Sequence, residues 1–264
     1  MATRESFLHR RNLLQLATAG AALGLVPASA RAQSVATTLV AGEKFTADGR
    51  VAPFAGNTVV CHVPQQGPDA ACFEAMLDGY RQAPAEAGLR KVAMLPPSSY
   101  HMTVFSGAND RTRQKGEWPA YVPVGASMRD CDLAVAERIR RLRLKVGVPI
   151  RMKVDPDQGP LVGDALQIRL VPLDASEAAK LAAIRLKFAT AYDLVAPRPE
   201  PYRFHISMGY ALEKLSATEA EQAQKVVVKW AELVSRRSPH IAFGAPEFCS
   251  FEDMFHFRRW MYVK

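Results

Sequence analysis

The sequence contains one short pattern twice, as YHMTVFSG at Tyr100–Gly107 and as FHISMGY at Phe204–Tyr210. In each stretch a histidine is followed two residues later by a threonine or a serine, inside an apolar run. Successive side chains of a strand point to opposite faces, so residues i and i+2 share one face. If the two stretches are strands that lie side by side, two imidazoles and two hydroxyls converge on one polar patch: His101, Thr103, His205 and Ser207.

This set of side chains is suited to proton transfer at a phosphodiester. Cleavage needs one group that accepts a proton from the attacking oxygen and another that donates one to the leaving oxygen. Histidine titrates near neutral pH, so a pair of imidazoles holds both roles. The hydroxyls of Thr103 and Ser207 would donate hydrogen bonds to the non-bridging oxygens. The alternative, in which each histidine is a structural hydrogen-bonding group, stays open at this point.

The scheme requires neither a metal ion nor another cofactor. The histidines and cysteines match neither an HExxH nor a CxxC spacing, so the sequence predicts no metal site. We interpret His62, His240 and His256 as structural. The four cysteines are either free, partly buried thiols or include a disulfide, for which Cys61–Cys72 is the pair nearest in sequence.

The order of predicted elements alternates strands with helices and indicates an α+β chain. Apolar residues at helical spacing (Phe73, Met76, Leu77 and Tyr80) predict a first helix that begins near Pro68 and ends near Pro84. Further helices are predicted over 132–146 and 176–194, and a fourth follows the capping box of Ser216 and Glu219. Strands are predicted at 57–63, 91–95, 101–105, 150–154, 166–171 and 204–210, and in two C-terminal stretches, 240–251 and 256–263.

A long polar segment and a basic cluster stand apart from this pattern. Residues 106–128 are rich in Gly, Pro, Asn and charge and predict a long loop, which in many proteins is a lid or binding loop. The second helix carries a basic cluster, for which a solvated face and a nucleic-acid contact both stay open: Arg138, Arg140, Arg141, Arg143 and Lys145.

The N-terminus has the pattern of an export signal. Arg10 and Arg11 precede a short apolar run from Leu13 to Val26, and Ala30 and Ala32 have the A-x-A spacing of a cleavage site. The arginine pair indicates the twin-arginine route. A membrane anchor is the alternative, but a span needs roughly 20 apolar residues and this run is shorter. Cleavage after residue 32 would lower the formal net charge from +8 to +5, since four arginines and one glutamate are lost.

The HMTV and HISM segments resemble the paired H-x-T/S-hydrophobic motifs of the two-histidine (2H) phosphoesterase superfamily. Its members include RNA 2′,3′-cyclic phosphodiesterases and 2′-5′ RNA ligase-like proteins. The resemblance implies a bilobal α+β fold, with two antiparallel sheets that face a central cleft and helices on the outside. Residue by residue, His101 and His205 match the catalytic histidines, whereas Thr103 and Ser207 match the phosphate-holding hydroxyls. Which histidine is the acid and which the base stays open.

Several neighbours of the motifs are further candidates for substrate binding. Arg203 would add a phosphate contact or lie at the surface, and Tyr100 and Tyr210 would contact substrate or pack in the core. Three C-terminal phenylalanines would stack a base or belong to the core: Phe251, Phe255 and Phe257.

The sequence therefore predicts a signal peptide at 1–32, a flexible arm at 33–56 and one bilobal domain at 57–264. The function it predicts is metal-independent hydrolysis of a cyclic phosphate or 2′-5′ phosphodiester in a small nucleotide or RNA end. An exported nucleotide- or RNA-binding protein without turnover is the alternative, and a metal-dependent hydrolase is a third. We expect a periplasmic or secreted monomer without a stable membrane anchor, whose other partner is the twin-arginine export machinery.

Overall fold

The computed structural model describes residues 44–161, 163–194 and 202–263. The predicted signal peptide and the first part of the predicted arm lie outside these residues. The nine described strands form one sheet: β1 Gly56–His62, β2 Val92–Met94, β3 His101–Asn109, β4 Ile150–Val154, β5 Ala165–Pro172, β6 Phe204–Ala211, β7 Ile241–Phe243, β8 Glu247–Phe251 and β9 Phe257–Tyr262. The described helices are α1 Ala71–Gln82, α2 Met128–Arg141, α3 Ala175–Tyr192 and α4 Ala217–Arg237.

The sheet is antiparallel, and its strands follow the order β7-β4-β5-β6-β3-β1-β8-β9, with β2 paired to β6. The predicted α+β class with antiparallel strands and outer helices is confirmed. One detail differs from the expected pair of sheets, because β3 and β6 pair through Met102 and Ile206 and join both halves into one sheet. Some strands lie in the part of the sheet opposite to their place in the chain. The C-terminal strands β8 and β9 extend the sheet beside β1, whereas β2, which comes early in the chain, pairs with the second histidine strand, β6.

The four helices pack in two pairs, α1 against α4 and α2 against α3. The capping box predicted for α4 is present, since the Glu219 amide donates to Ser216 Oγ at 3.3 Å and the Ser216 amide donates to Glu219 Oε2 at 2.8 Å. The residues that α1 buries lie one position before the apolar residues whose spacing predicted this helix. Its buried positions are Cys72, Ala75, Met76 and Gly79. A side chain at Gly79 would meet the ring of Trp230 on α4 at 3.1 Å, so small residues lie at this helix contact.

The predicted start and end of α2 are wrong. The helix begins four residues earlier, because Ser127 caps it by accepting a hydrogen bond from the Asp130 amide at 3.1 Å. It ends at Arg141, and Arg143 has a positive φ of 44°. The basic cluster is therefore not one continuous helical face.

The long polar segment is shorter than predicted, because β3 continues to Asn109. The remaining connection, 110–127, is packed against the protein. Trp118 is buried and its Nε1 donates to the Val122 carbonyl at 2.9 Å, while Tyr121 Oη donates to the Ala191 carbonyl at 3.0 Å.

All four cysteines are free and buried, which is the thiol alternative of the sequence analysis. Within the described ranges, none of the helices combines the length and the apolar character that a membrane span requires.

Candidate active site

The two histidine strands are neighbours at the centre of the sheet. Met102 and Ile206 are Cα partners in an antiparallel pair. Each of these two residues lies between the histidine and the hydroxyl residue of its motif, so this bridge brings the two motifs side by side.

The alternation of side chains gives each histidine strand a polar face and a core face. Met102, Ile206 and Met208 point into the core and are fully buried. The four motif side chains are half-buried on the other face and line one cavity of about 310 Å³. This burial pattern matches the one that the alternation of residues predicts.

Both imidazoles are held in the same way by backbone. His101 Nδ1 lies 2.6 Å from the Ser99 carbonyl oxygen, and His205 Nδ1 lies 2.9 Å from the Arg203 carbonyl oxygen. A carbonyl only accepts hydrogen bonds, so each Nδ1 carries the proton and donates it. This contact assigns the tautomer and leaves each Nε2 of the neutral ring as an acceptor.

The electrostatic surroundings keep both histidines neutral. Burial lowers the pKa of His101 to about 4, with smaller contributions from His62 and His205, although the contact with the Ser99 carbonyl opposes the shift. Burial also lowers the pKa of His205, and the positive charges of Lys44 and Arg169 add to this effect. At pH 7 each Nε2 is therefore free to accept a proton.

The cavity walls contain residues that the sequence analysis did not select. Aromatic side chains form one part of the wall: Phe54, Tyr210, Phe251 and Phe257. The ring centroid of Phe257 lies 4.2 Å from that of His101. Further polar and charged side chains also line the cavity: Lys44, Asn57, Asp164 and Gln167. Of these only Gln167 gives a signal in the sequence, as a polar residue in the apolar strand β5, where it is the Cα partner of Ser207.

The structure divides the other candidate residues into two groups. Tyr210 lines the cavity, and so do Phe251 and Phe257. Tyr100 is completely buried in the core, and its hydroxyl has no hydrogen-bond partner among the described residues. Arg203 is exposed and lines a separate cavity with Arg185 and Tyr202. None of residues 110–127 is among those that line the histidine cavity.

Gly107 allows β3 to approach its neighbours closely. A side chain there would meet Asn57 Oδ1 and Tyr192 Oη at less than 3 Å. Asn57 in turn donates to Asp132 Oδ1 at 2.8 Å and accepts from the Ala108 amide at 3.1 Å. This buried network holds the end of β3 beside the cavity.

One cluster near His101 offers possible metal ligands. The ligand atoms of His62, Glu247 and Cys249 lie within 4.8 Å of one another. Glu247 is already engaged by His62 Nδ1 at 3.1 Å and by Arg259 Nη1 at 3.2 Å. Burial raises the pKa of the Cys249 thiol to about 12. A metal ion would therefore have to displace a proton and an existing ion pair, so these residues fit a structural ion pair better than a metal centre.

Comparisons with known proteins bear on the family and the fold of this chain. Residues 44–159 match the family model described as 2H-phosphodiest, a domain of unknown function (DUF1868). The fold is similar to the crystal structure of a conserved protein of unknown function from Agrobacterium tumefaciens strain C58. The TM-score is 0.70 and the identity 26%, and the match covers 84% of this chain and 91% of that one. Among curated proteins, none matches this chain. Residues 44–159, which include the first histidine motif, thus match a 2H phosphodiesterase family, and the chain as described has a 2H phosphoesterase-like fold.

Proposed function

We propose that this chain is a metal-independent phosphodiesterase that hydrolyses a 2′,3′-cyclic phosphate or a 2′-5′ phosphodiester of a nucleotide or RNA end. The family match supports phosphodiesterase activity in general. The observation that carries the finer proposal is the matched pair of histidines. Each Nδ1 binds the carbonyl two residues earlier, so each Nε2 is left for a ligand in the shared cavity.

The proposed reaction uses the two imidazoles in opposite protonation states. Nε2 of one histidine takes a proton from water, whose oxygen attacks phosphorus. The other histidine, protonated at Nε2, gives its proton to the ribose oxygen as the P–O bond breaks. The products are a phosphomonoester and a free hydroxyl group. Thr103 and Ser207 donate hydrogen bonds to the non-bridging oxygens, where negative charge is held in the transition state.

Substrate binding supplies the protonated histidine. Because burial lowers the pKa of both histidines, only a small fraction of the ligand-free protein has a protonated imidazole at pH 7. A bound phosphodiester anion favours the protonated form of the nearer ring and raises its pKa. The substrate thus creates the acid that its own cleavage requires.

The cavity size favours a single nucleotide unit. Its volume of about 310 Å³ is at the lower end of the range for small-molecule sites. A cyclic mononucleotide or the terminal nucleotide of an RNA would occupy such a cavity, whereas a longer chain would have to extend outside it.

The test is hydrolysis of a panel of 2′,3′-cyclic nucleotides and 2′-5′ dinucleotides in the presence of a chelator. His101→Ala and His205→Ala are compared with His240→Ala, which removes an exposed histidine that is not among the residues lining the cavity. We expect turnover by the unaltered protein and by His240→Ala, and losses of at least about 10²-fold in each motif variant.

The remaining outcomes separate the alternatives. Binding of these nucleotides without turnover would favour a binding protein that uses the same cavity. Activity that disappears with chelator and returns with a divalent metal would contradict the metal-independent reaction.

We also propose that residues 1–32 direct export through the twin-arginine machinery, on the pattern of the arginine pair, apolar run and A-x-A site. Replacement of Arg10 and Arg11 by lysine should retain the uncleaved protein inside the producing cell. Unchanged export of that variant would contradict the proposal.

A further inference from the structure

The segment before β1 contributes to the cavity through an anchored turn. Phe45 is 4% exposed and forms a β-bridge with Val51. Its ring centroid lies 5.7 Å from that of Tyr210 and 5.9 Å from that of Phe255. This part of the predicted flexible arm is therefore packed onto the cavity wall.

The anchor places the preceding residue, Lys44, at the cavity. Lys44 Nζ lies 4.4 Å from the ring centroid of Tyr210 and 5.6 Å from that of Phe54. Both rings line the cavity, as does Lys44 itself. Cation–π contacts hold an ammonium group without neutralising its charge, so the charge stays available to an anion.

Lys44 provides the positive charge in the lining of the cavity. Lys44 is the one lysine or arginine among the described residues that line the cavity, and Asp164 is the one carboxylate there. In the ligand-free protein both motif histidines have a lowered pKa and are neutral at pH 7, so neither holds a positive charge before the phosphodiester binds. A phosphodiester that leaves water needs a compensating positive charge, because an isolated buried charge is costly.

We propose that Lys44 is a substrate-binding residue whose ammonium group binds the non-bridging oxygens of the phosphate from the β6 side of the cavity. This assignment rests on the proposed function, because it takes a phosphoester as the ligand. Lysine binds phosphate as a compact point charge, and its long stem allows Nζ to move from the ring faces to the phosphate. The influence of Lys44 on the pKa of His205 is consistent with its position near that histidine.

The first measurement is binding of adenosine 2′-monophosphate, with adenosine as the ligand without phosphate. We expect Lys44→Ala to weaken nucleotide binding by about tenfold, the loss of one charge-assisted hydrogen bond, and to leave adenosine binding unchanged. Lys44→Arg should restore most of the affinity. Lys225→Ala is the control of equal charge change, since Lys225 pairs with Glu221 on the surface of α4.

The second measurement is an NMR titration of the histidine ring protons in the ligand-free protein. Removal of the lysine charge should raise the pKa of His205, whose other described influences are burial, Arg169 and the Arg203 carbonyl. His101 should titrate as before. This readout requires no substrate and no turnover.

The outcomes distinguish the two proposals. Absence of turnover on every phosphodiester, with tenfold weaker nucleotide binding in Lys44→Ala, would overturn the proposed reaction but support Lys44 as a phosphate-binding residue. Equal nucleotide affinity in Lys44→Ala and the unaltered protein would overturn the role of Lys44, whatever the activity. So would an unaltered protein that binds no nucleotide.

Discussion

His101 and His205 make the same backbone contact but lie in different surroundings. The ring centroid of His101 lies 4.2 Å from that of Phe257 and 6.0 Å from that of His62. His205 lies near two positive charges, Lys44 and Arg169, and its ring centroid is 6.5 Å from that of Tyr202. One motif can therefore supply two histidines of different acidity, because the motif determines orientation and the surroundings determine the pKa.

The largest expected effect concerns the dependence of the two histidines on each other. Each single alanine variant should lower kcat by about 10³-fold, and the His101→Ala/His205→Ala double variant should be little worse than either single variant. The reason is that acid and base act in one transition state. Steady-state kinetics of the three proteins provides the measurement. Losses that multiply in the double variant would show that the histidines act independently.

Thr103 and Ser207, the hydroxyl residues of the two motifs, allow a second comparison between the two strands. Thr103→Val and Ser207→Ala should each lower kcat/KM by about 10²-fold, as expected when one donor to a charged oxygen is removed. Thr103→Ser keeps the hydroxyl and is the matched control. If only one of the two deletions reduces kcat/KM, the phosphate is bound by one strand and not by both.

A buried hydrogen-bonded pair supports the end of the first histidine strand, β3. Asn57 and Asp132 support the end of β3, and burial raises the pKa of Asp132 to about 6 from its ordinary value of 3.8. The folded protein therefore binds this proton more tightly than the unfolded chain, and stability decreases as pH rises from 3.8 to 6. Asp132→Asn does not titrate and keeps an acceptor for Asn57.

Urea unfolding of this variant should match that of the unaltered protein near pH 4. Above pH 6 the free energy of unfolding should be larger in the variant by on the order of 3 kcal/mol. A variant that is less stable at pH 7.5 would mean that the Asp132 carboxylate is stabilised in the folded state.

The smallest expected effect alters only one side of the histidine pair. Phe257→Ala exposes His101 to water, so its pKa should rise from about 4 towards the ordinary 6.5, while His205 is unaffected. A rise of roughly one unit is measurable by NMR titration.

The dependence of kcat/KM on pH should shift in the same direction. The unaltered protein should have its maximum below about pH 6.5, and the maximum of Phe257→Ala should lie at a higher pH. A maximum above pH 7.5 in the unaltered protein would contradict the lowered pKa values.

Local sequence signals predicted the parts of this molecule that depend on near neighbours. The alternation around His101 and His205 predicted both strands and which side chains share their polar face. The capping box predicted the start of α4. The same approach was wrong at α2, where Ser127 was not recognised as the cap, and it did not indicate that Gly79 of α1 lies against Trp230 of α4.

Tertiary contacts determined the rest of the site. Tyr100 directly precedes the first motif and Tyr210 follows the second, and nothing local distinguishes their roles, yet Tyr100 is buried in the core and Tyr210 lines the cavity. Lys44 lines the cavity of the two histidines although it lies 161 residues before His205 in the chain. No local pattern contains such contacts, because they depend on which strands pair and which segments pack against them.

By itself the sequence determined two strands with a histidine and a hydroxyl on one face, since side-chain alternation is a property of the extended backbone. Only the tertiary structure decided that these strands are neighbours, and that C-terminal strands β8 and β9 extend the N-terminal half of the sheet. It also decided that Phe257 and Lys44 create unlike environments for the two imidazoles. Strand pairing and the positions of charged side chains depend on contacts between residues that are distant in the chain. These contacts determine the pKa of the two histidines, whereas the sequence alone shows that the histidines are there.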